Sequence, residues 1–293
     1  VMPESLPLFP EGLPAAVRQS ILVSPATKWN GAQVPFSTQS KSELVADYIR
    51  RFQQVTRGGL YVDGFAAPQR RNAPEAWSAR RVLEVEPKRI RGFWLFDIDP
   101  GGIEMLRELK SLHHRSPISR KVRVFEGDFN KEVFHFLQAK ELRRDTAVFA
   151  LLDQRATECH WRTVELLARR RGRRTKIEIM YFCPTAWVHR MIKTRTKASS
   201  IEALDLWWGN SSWEALANLT QIETVRVLVN RFKSELGYKH VVPYPIPLRL
   251  NRRRISYHLI HASDHDEAPR LMAAAFNDRV NAQQHAGQIS LAL

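Results

Sequence analysis

Four aspartates stand where four β-prone runs end. Asp63 follows Leu60-Tyr61-Val62, Asp97 follows Phe93-Trp94-Leu95-Phe96, Asp128 follows Val122-Arg123-Val124-Phe125 and a Glu-Gly turn, and Asp153 follows Ala147 to Leu152. A carboxylate at a strand end accepts hydrogen bonds from hydroxyls and amines, or complements positive charge. In a doubly wound sheet such ends gather at one edge, where ligands bind. The spacing therefore predicts one acid-lined cleft. Its centre is Tyr61-Val62-Asp63-Gly64-Phe65-Ala66-Ala67-Pro68-Gln69, which has the form of a first strand closing in a tight turn over a nucleotide-like ligand. Plainer roles compete. Asp63 and Asp97 are also suited to helix capping, and Asp128 to turn formation. Asp99 reads as the cap of a helix opening at Pro100. Asp63, Asp97 and Asp153 can also be read as a metal site for strand hydrolysis.

The elements that must position these acids alternate regularly. A helix opens at Ser40-Lys41-Ser42-Glu43, with Leu44, Val45, Tyr48, Ile49 and Phe52 on one face. Strands ending at Asp63, Asp97, Phe125, Asp153 and Phe182 alternate with helices near 74–83, 100–113, 131–142 and 160–171. That order predicts an α/β fold, a doubly wound, mostly parallel sheet. Residues 184–240 then read as a helical insertion containing Trp207, Trp208 and Trp213, most simply as packing residues. Val241 to Leu250 is extended and proline-bearing. Ile255 to Ala262 reads as a late strand added antiparallel at the sheet edge, followed by a helix from Glu267 to about Val280. The expected organisation is an arm over 1–40 anchored by Trp29 and Phe36, a core over 41–183, the insertion over 184–240, C-terminal strands and a helix completing the core over 241–280, and a polar, flexible tail over 281–293.

The charge names a partner class. The chain has 293 residues, and 45 Lys and Arg stand against 30 Asp and Glu, a formal charge of +15. Such an excess favours a polyanion, with nucleic acid foremost, unless the charge is merely dispersed and solvated. Two stretches concentrate it: Arg169-Arg170-Arg171-Gly172-Arg173-Arg174-Thr175-Lys176, and Arg252-Arg253-Arg254. Guanidinium suits phosphate better than ammonium does. The first stretch closes a crossover helix and is expected at the edge opposite the acids; the second fits either edge. No run reads as a bilayer span or a secretory leader. The two cysteines, Cys159 and Cys183, lack metal-ligand spacing, so a reducing cytoplasm without a zinc site is the expected setting.

Taken in order, several landmarks resemble the three-Cys-motif partner (TcmP) family, whose fold is similar to class I S-adenosylmethionine-dependent methyltransferases. They are Lys41, Tyr61 to Ala66, Gly127-Asp128-Phe129-Asn130, Phe149 to Asp153, Trp207-Trp208-Gly209 with Trp213, Tyr257 to Ile260, and Ser263-Asp264-His265. The resemblance implies a cofactor cleft. In it Asp63 lies near the amino and sulfonium end, Asp97 at the ribose, Asp128 at the adenine and Asp153 beside the transferring methyl, with Phe65 and Ala67 in the cofactor loop. It also implies a partner protein with three cysteines, of a metal-cluster or radical type. The chain departs from the family where Phe-Ala-Gly-x-Gly becomes Phe65-Ala66-Ala67-Pro68-Gln69, and where Asp-Pro-x-Gly becomes Asp153-Gln154-Arg155-Ala156. Glycine permits positive φ and close ligand approach, so these losses predict weak or absent S-adenosylmethionine binding. Two functions follow: a degenerate methyltransferase-like protein that binds nucleic acid and works with a partner enzyme in processing, repair or defence, or an active nucleic-acid methyltransferase.

Overall fold

The computed structural model describes residues 38–69, 71–114, 120–170, 176–194, 197–250 and 253–291. Its centre is a seven-stranded sheet: β1 Gly59–Asp63, β2 Ile90–Asp97, β3 Lys121–Glu126, β4 Val148–Leu152, β5 Glu178–Cys183, β6 His240–Leu250 and β7 Arg253–Ser263. They lie in the order β3-β2-β1-β4-β5-β7-β6. The first five are parallel, and β7 runs antiparallel to both β5 and β6. With crossover helices on both faces, this is the class I methyltransferase-like fold anticipated from the sequence.

Alternation along each strand builds two cores. Tyr61, Phe93, Leu95, Phe149, Leu151, Met180, Phe182 and Leu259 face one side. There they pack against α1 (Thr38–Thr56), α2 (Ser78–Glu84), α3 (Pro100–His114) and the start of α9 (Ala268–Leu291). Val62, Trp94, Phe96, Ala150, Leu152, Ile179, Tyr181 and Ile260 face the other. That face is covered by α4 (Phe129–Leu137), α5 (Trp161–Arg169), α6 (Thr185–Thr194), α7 (Ala198–Trp208), a 3-10 turn at Ser211–Asn218, and α8 (Gln221–Ser234). A parallel sheet covered on both sides explains why β4 reads as an unbroken apolar run.

Between β5 and β6 the chain is helical, as expected. Trp207 donates to the Tyr181 hydroxyl at 2.6 Å, and Trp213 to Asp205 Oδ1 at 2.7 Å. The Arg231 guanidinium lies over Trp161 and Trp208, 4.0 and 4.2 Å from their ring centroids. Gly209 ends α7 at φ +92, and a Cβ there would meet Trp161 at 3.0 Å, so this turn requires glycine.

Two expectations need correction. The late strand is antiparallel but not at the edge, because the extended segment 240–250 is itself a strand and lies outside it. Its prolines at 243, 245 and 247 occupy alternate positions. Proline has no N–H to give a neighbour, so all three belong to pairs whose backbone groups point away from β7. The final helix also runs on to Leu291, past the expected end at Val280.

Candidate functional site at the carboxyl edge of the sheet

Parallel pairing brings the ends of β1, β2 and β4 together, with Asp63 beside Leu95 and Leu151. Asp63 is buried below the turn it begins. Its carboxyl accepts from the Tyr61 hydroxyl at 2.9 Å and from the Phe65 N–H at 3.2 Å. Burial pushes its pKa up to about 7; the Asp153 and Asp97 carboxylates push the same way, and the two hydrogen bonds oppose. Gly64 is needed here because a Cβ would lie 2.6 Å from the Phe129 ring. Asp63 therefore seats the turn instead of facing a ligand.

The loop that follows is pinned across β2. The Ala66 N–H donates to the Phe96 carbonyl, and Trp77 Nε1 donates to the Ala66 carbonyl at 2.6 Å. The Ala67 N–H donates to Asp97 Oδ2 at 2.8 Å, while Asp97 Oδ1 accepts from the Asp99 N–H at 2.9 Å. Neither Ala67 nor Gln69 is among the described residues with positive φ. The expected backbone strain from glycine loss is absent, because this loop follows a path that any L-residue accepts. Ala67 packs against Gly102 of α3, and Gln69 is exposed. Asp99 caps α3 as anticipated, accepting from the Gly102 N–H at 2.9 Å.

Asp153 is the most distinctive of the four acids. Its Oδ1 receives the Lys41 ammonium at 2.7 Å, in a pair whose side chains are 12% and 6% exposed. The same ammonium lies 4.2 Å from the centroid of the Phe182 ring, and Phe182 stacks on Tyr257 at 4.9 Å. A cation is thus held between a carboxylate and an aromatic face. Sequence reading marked Lys41 only as a family landmark; its partner lies 112 positions away, beyond any local pattern. Gln154 is wholly buried, bridging the Phe182 carbonyl and the Cys159 N–H.

Asp128 is a helix cap, accepting from the Asn130 N–H at 2.9 Å. Asn130 ties this loop to the next through the Glu158 carbonyl, the His160 N–H and the Thr163 hydroxyl. Phe65 packs edge-on against Phe129. Among the described residues, no three His, Cys, Asp or Glu side chains gather as metal ligands would.

The fit to S-adenosylmethionine is partial. Asp97 retains lone pairs suited to a ribose diol, whereas Asp63 and Asp128 are occupied by the turns they form.

The first basic stretch divides. Arg169 is exposed, 3.7 Å from Glu165, while Arg170 donates to the Leu142 carbonyl at 2.7 Å. Lys176 needs correction as a phosphate contact. It is buried, its ammonium donates to the Leu236 and Gly237 carbonyls at 2.5 Å each, and it lies over the Tyr238 ring. Arg171, Arg173, Arg174 and Arg252 lie outside the described residues, and Arg253 and Arg254 open β7.

At the opposite edge of the sheet lies a cluster that sequence reading missed. The Glu178 carboxylate accepts from the Tyr48 hydroxyl, from His261 Nε2 at 2.9 Å and from Ser263 Oγ at 2.7 Å. Burial works to raise its pKa, but His261, Tyr48 and Ser263 outweigh it and hold the carboxyl below its ordinary value. The serine and histidine both address the acid, not each other, so this is no nucleophile relay.

The strand order and the parallel pairing of β1 to β5 give a doubly wound, methyltransferase-like α/β fold. No protein-family model and no curated protein matches the chain. Among solved structures it is similar to a DUF574 family protein from Streptomyces avermitilis, at 13% identity over 76% of this chain and 82% of that one, with a TM-score of 0.40. No helix among the described residues is long and apolar enough to cross a membrane.

Proposed function

We propose that this chain is a TcmP-like protein: a methyltransferase-like fold with an altered cofactor cleft that binds nucleic acid. It acts in the cytoplasm with a partner enzyme, of a three-cysteine metal-cluster or radical type, in nucleic-acid processing, repair or defence. The observation that carries this reading is the Lys41–Asp153 ion pair. Methylation of a base amine needs a free acceptor for that amine and an aromatic to stack the flipped base. Asp153 is instead engaged by a lysine, and the turn after it leads into the buried Gln154. With Asp153 neutralised by Lys41 from within, this strand end offers a sulfonium ligand no free carboxylate. The +15 charge supplies the attraction to a polyanion.

A second reading, methyl transfer to nucleic acid, is favoured by the unstrained backbone at Ala67 and Gln69. Calorimetric titration with S-adenosylmethionine and S-adenosylhomocysteine, beside oligonucleotide binding over a salt series, separates the two. The expected result is salt-dependent oligonucleotide binding with weak or no cofactor heat. Submicromolar cofactor binding, together with methyl incorporation into the oligonucleotide, overturns the first reading in favour of the second.

A further inference from the structure

The entrances to β1, β2 and β4 lie side by side at the amino edge of the sheet, opposite the strand-end acids. They are in direct contact. A Cβ on Gly58 would sit 2.8 Å from the Arg89 carbonyl oxygen, and one on Gly59 would sit 2.6 Å from that of Ala147. Each entrance carries arginine: Arg57 before β1, Arg89 and Arg91 at β2, and Arg143 and Arg144 before β4. All five are exposed, and none has an ion pair among the described residues. Two neighbouring acids are engaged elsewhere. Glu86 faces Lys88 at 3.3 Å, and Glu141 takes Arg123 and, at 3.7 Å, Lys121. Asp145, exposed next to Arg144, is the remaining acid of the turn before β4.

Two of the arginines sit at irregularities of the backbone. Arg57 has φ +58 and is the one described residue with a Cβ in the left-handed region, at a helix end where glycine is the usual occupant. Arg91 is passed over by the β1–β2 register, which steps from Gly59↔Ile90 to Leu60↔Gly92. A bulge of this kind re-aims a side chain. Ile90 and Phe93, three apart, accordingly face the same core, and Arg91 is exposed between buried neighbours. The turn before β4 is fixed as well, by Arg170 donating to the Leu142 carbonyl at 2.7 Å and by the Thr146 N–H donating to the Arg143 carbonyl at 3.3 Å. Three touching loops thus turn guanidinium groups towards solvent.

We propose that this amino edge is a docking surface for duplex nucleic acid, with Arg57, Arg89, Arg91, Arg143 and Arg144 gripping backbone phosphates. This rests on the nucleic-acid reading above and places the contacts outside the two arginine runs of the sequence. Guanidinium forks match phosphate geometry. β2 and β4 are two strand spacings apart, roughly 10 Å, which is about three phosphate steps along one strand of a duplex. Residues 57–59, 86–91 and 139–147 include no aromatic side chain on which an unpaired base could stack, which favours duplex over single strand. Phosphate contacts alone grip without reading sequence.

The test is fluorescence anisotropy with labelled duplex and single-stranded DNA and RNA over a salt series. It compares the natural protein, the quadruple variant R89Q/R91Q/R143Q/R144Q, Arg57→Gly, and Arg226→Gln as an exposed control on α8, with circular dichroism confirming each fold. The quadruple variant is expected to bind duplex at least tenfold more weakly at low salt. Its log-affinity slope should flatten by roughly two to three units, at about 0.9 per lost contact; Arg226→Gln should match the natural protein. Arg57→Gly relieves the left-handed backbone while removing a contact, so its urea midpoint should rise as its slope falls by about 0.9. A photo-reactive duplex should crosslink the natural protein within residues 86–91 or 139–147. An unchanged slope in the folded quadruple variant overturns the docking surface while leaving the functional reading standing, as does crosslinking confined to the carboxyl edge. Tighter binding of single strands than of duplex overturns it too, and equal competition by polyglutamate assigns the surface to an acidic protein instead. If the natural protein binds no oligonucleotide, both proposals fall.

Discussion

The two edges of the sheet bury carboxylates in opposite ways. At the amino end of β5, Glu178 is surrounded by three donors, one of them a histidine, and is held ionised despite burial. At the carboxyl end of β1, Asp63 has two neutral donors and two acidic neighbours, and its pKa is pushed up to about 7. Burial is the same; the company decides the charge. The first edge behaves as a structural clasp joining α1, β5 and β7. The second concentrates negative potential, which Lys41 offsets at Asp153.

The largest expected effect comes from breaking the clasp. Glu178→Ala leaves Tyr48, His261 and Ser263 without their buried acceptor, and should cost about 3–5 kcal/mol in urea unfolding. Lys41→Ala leaves Asp153 as a nearly buried, unpaired carboxylate. A loss of about 3 kcal/mol in urea unfolding is expected. If stability does not change, the Lys41–Asp153 pair is not what holds this edge together.

The pH profile sharpens the contrast, because the two acids act with opposite sign. Folded Asp63 keeps a proton that the unfolded chain releases above its ordinary 3.8. Its contribution is therefore full at low pH and is lost as pH rises towards about 7. Glu178 contributes above the ordinary carboxyl range and loses that as pH falls through its lowered folded value. Asp63→Asn should flatten the neutral limb, a gain of about 1–2 kcal/mol at pH 8, and leave the acid limb unchanged. The smallest effect is expected from A67G/Q69G. With no positive φ to relieve, cofactor affinity measured by calorimetry should change less than about fivefold, under 1 kcal/mol.

What the sequence showed follows the range of each signal. β4 and the strand-end aspartates were legible because an apolar run and the acid after it are neighbours in the chain. The antiparallel β7 was legible too, and β6 as an extended segment among C-terminal strands, but three prolines in eleven residues hid its place as the edge strand outside β7. Glu178 carried a faint local signal, a lone acid inside Ile177-Glu178-Ile179-Met180. Its partners Tyr48, His261 and Ser263 lie 83 to 130 positions away. Lys176 failed for the same reason in reverse: it looked like part of a basic run, and the carbonyls that bury it come from the end of α8.

The alternate prolines of β6 have a consequence for assembly. A partner protein can join a sheet by laying its own strand along an open margin, drawing affinity from main-chain hydrogen bonds. On the β6 side, positions 243, 245 and 247 offer no main-chain donor to such a strand. Strand addition from a second chain is therefore steered to the opposite margin, at Lys121–Glu126 of β3.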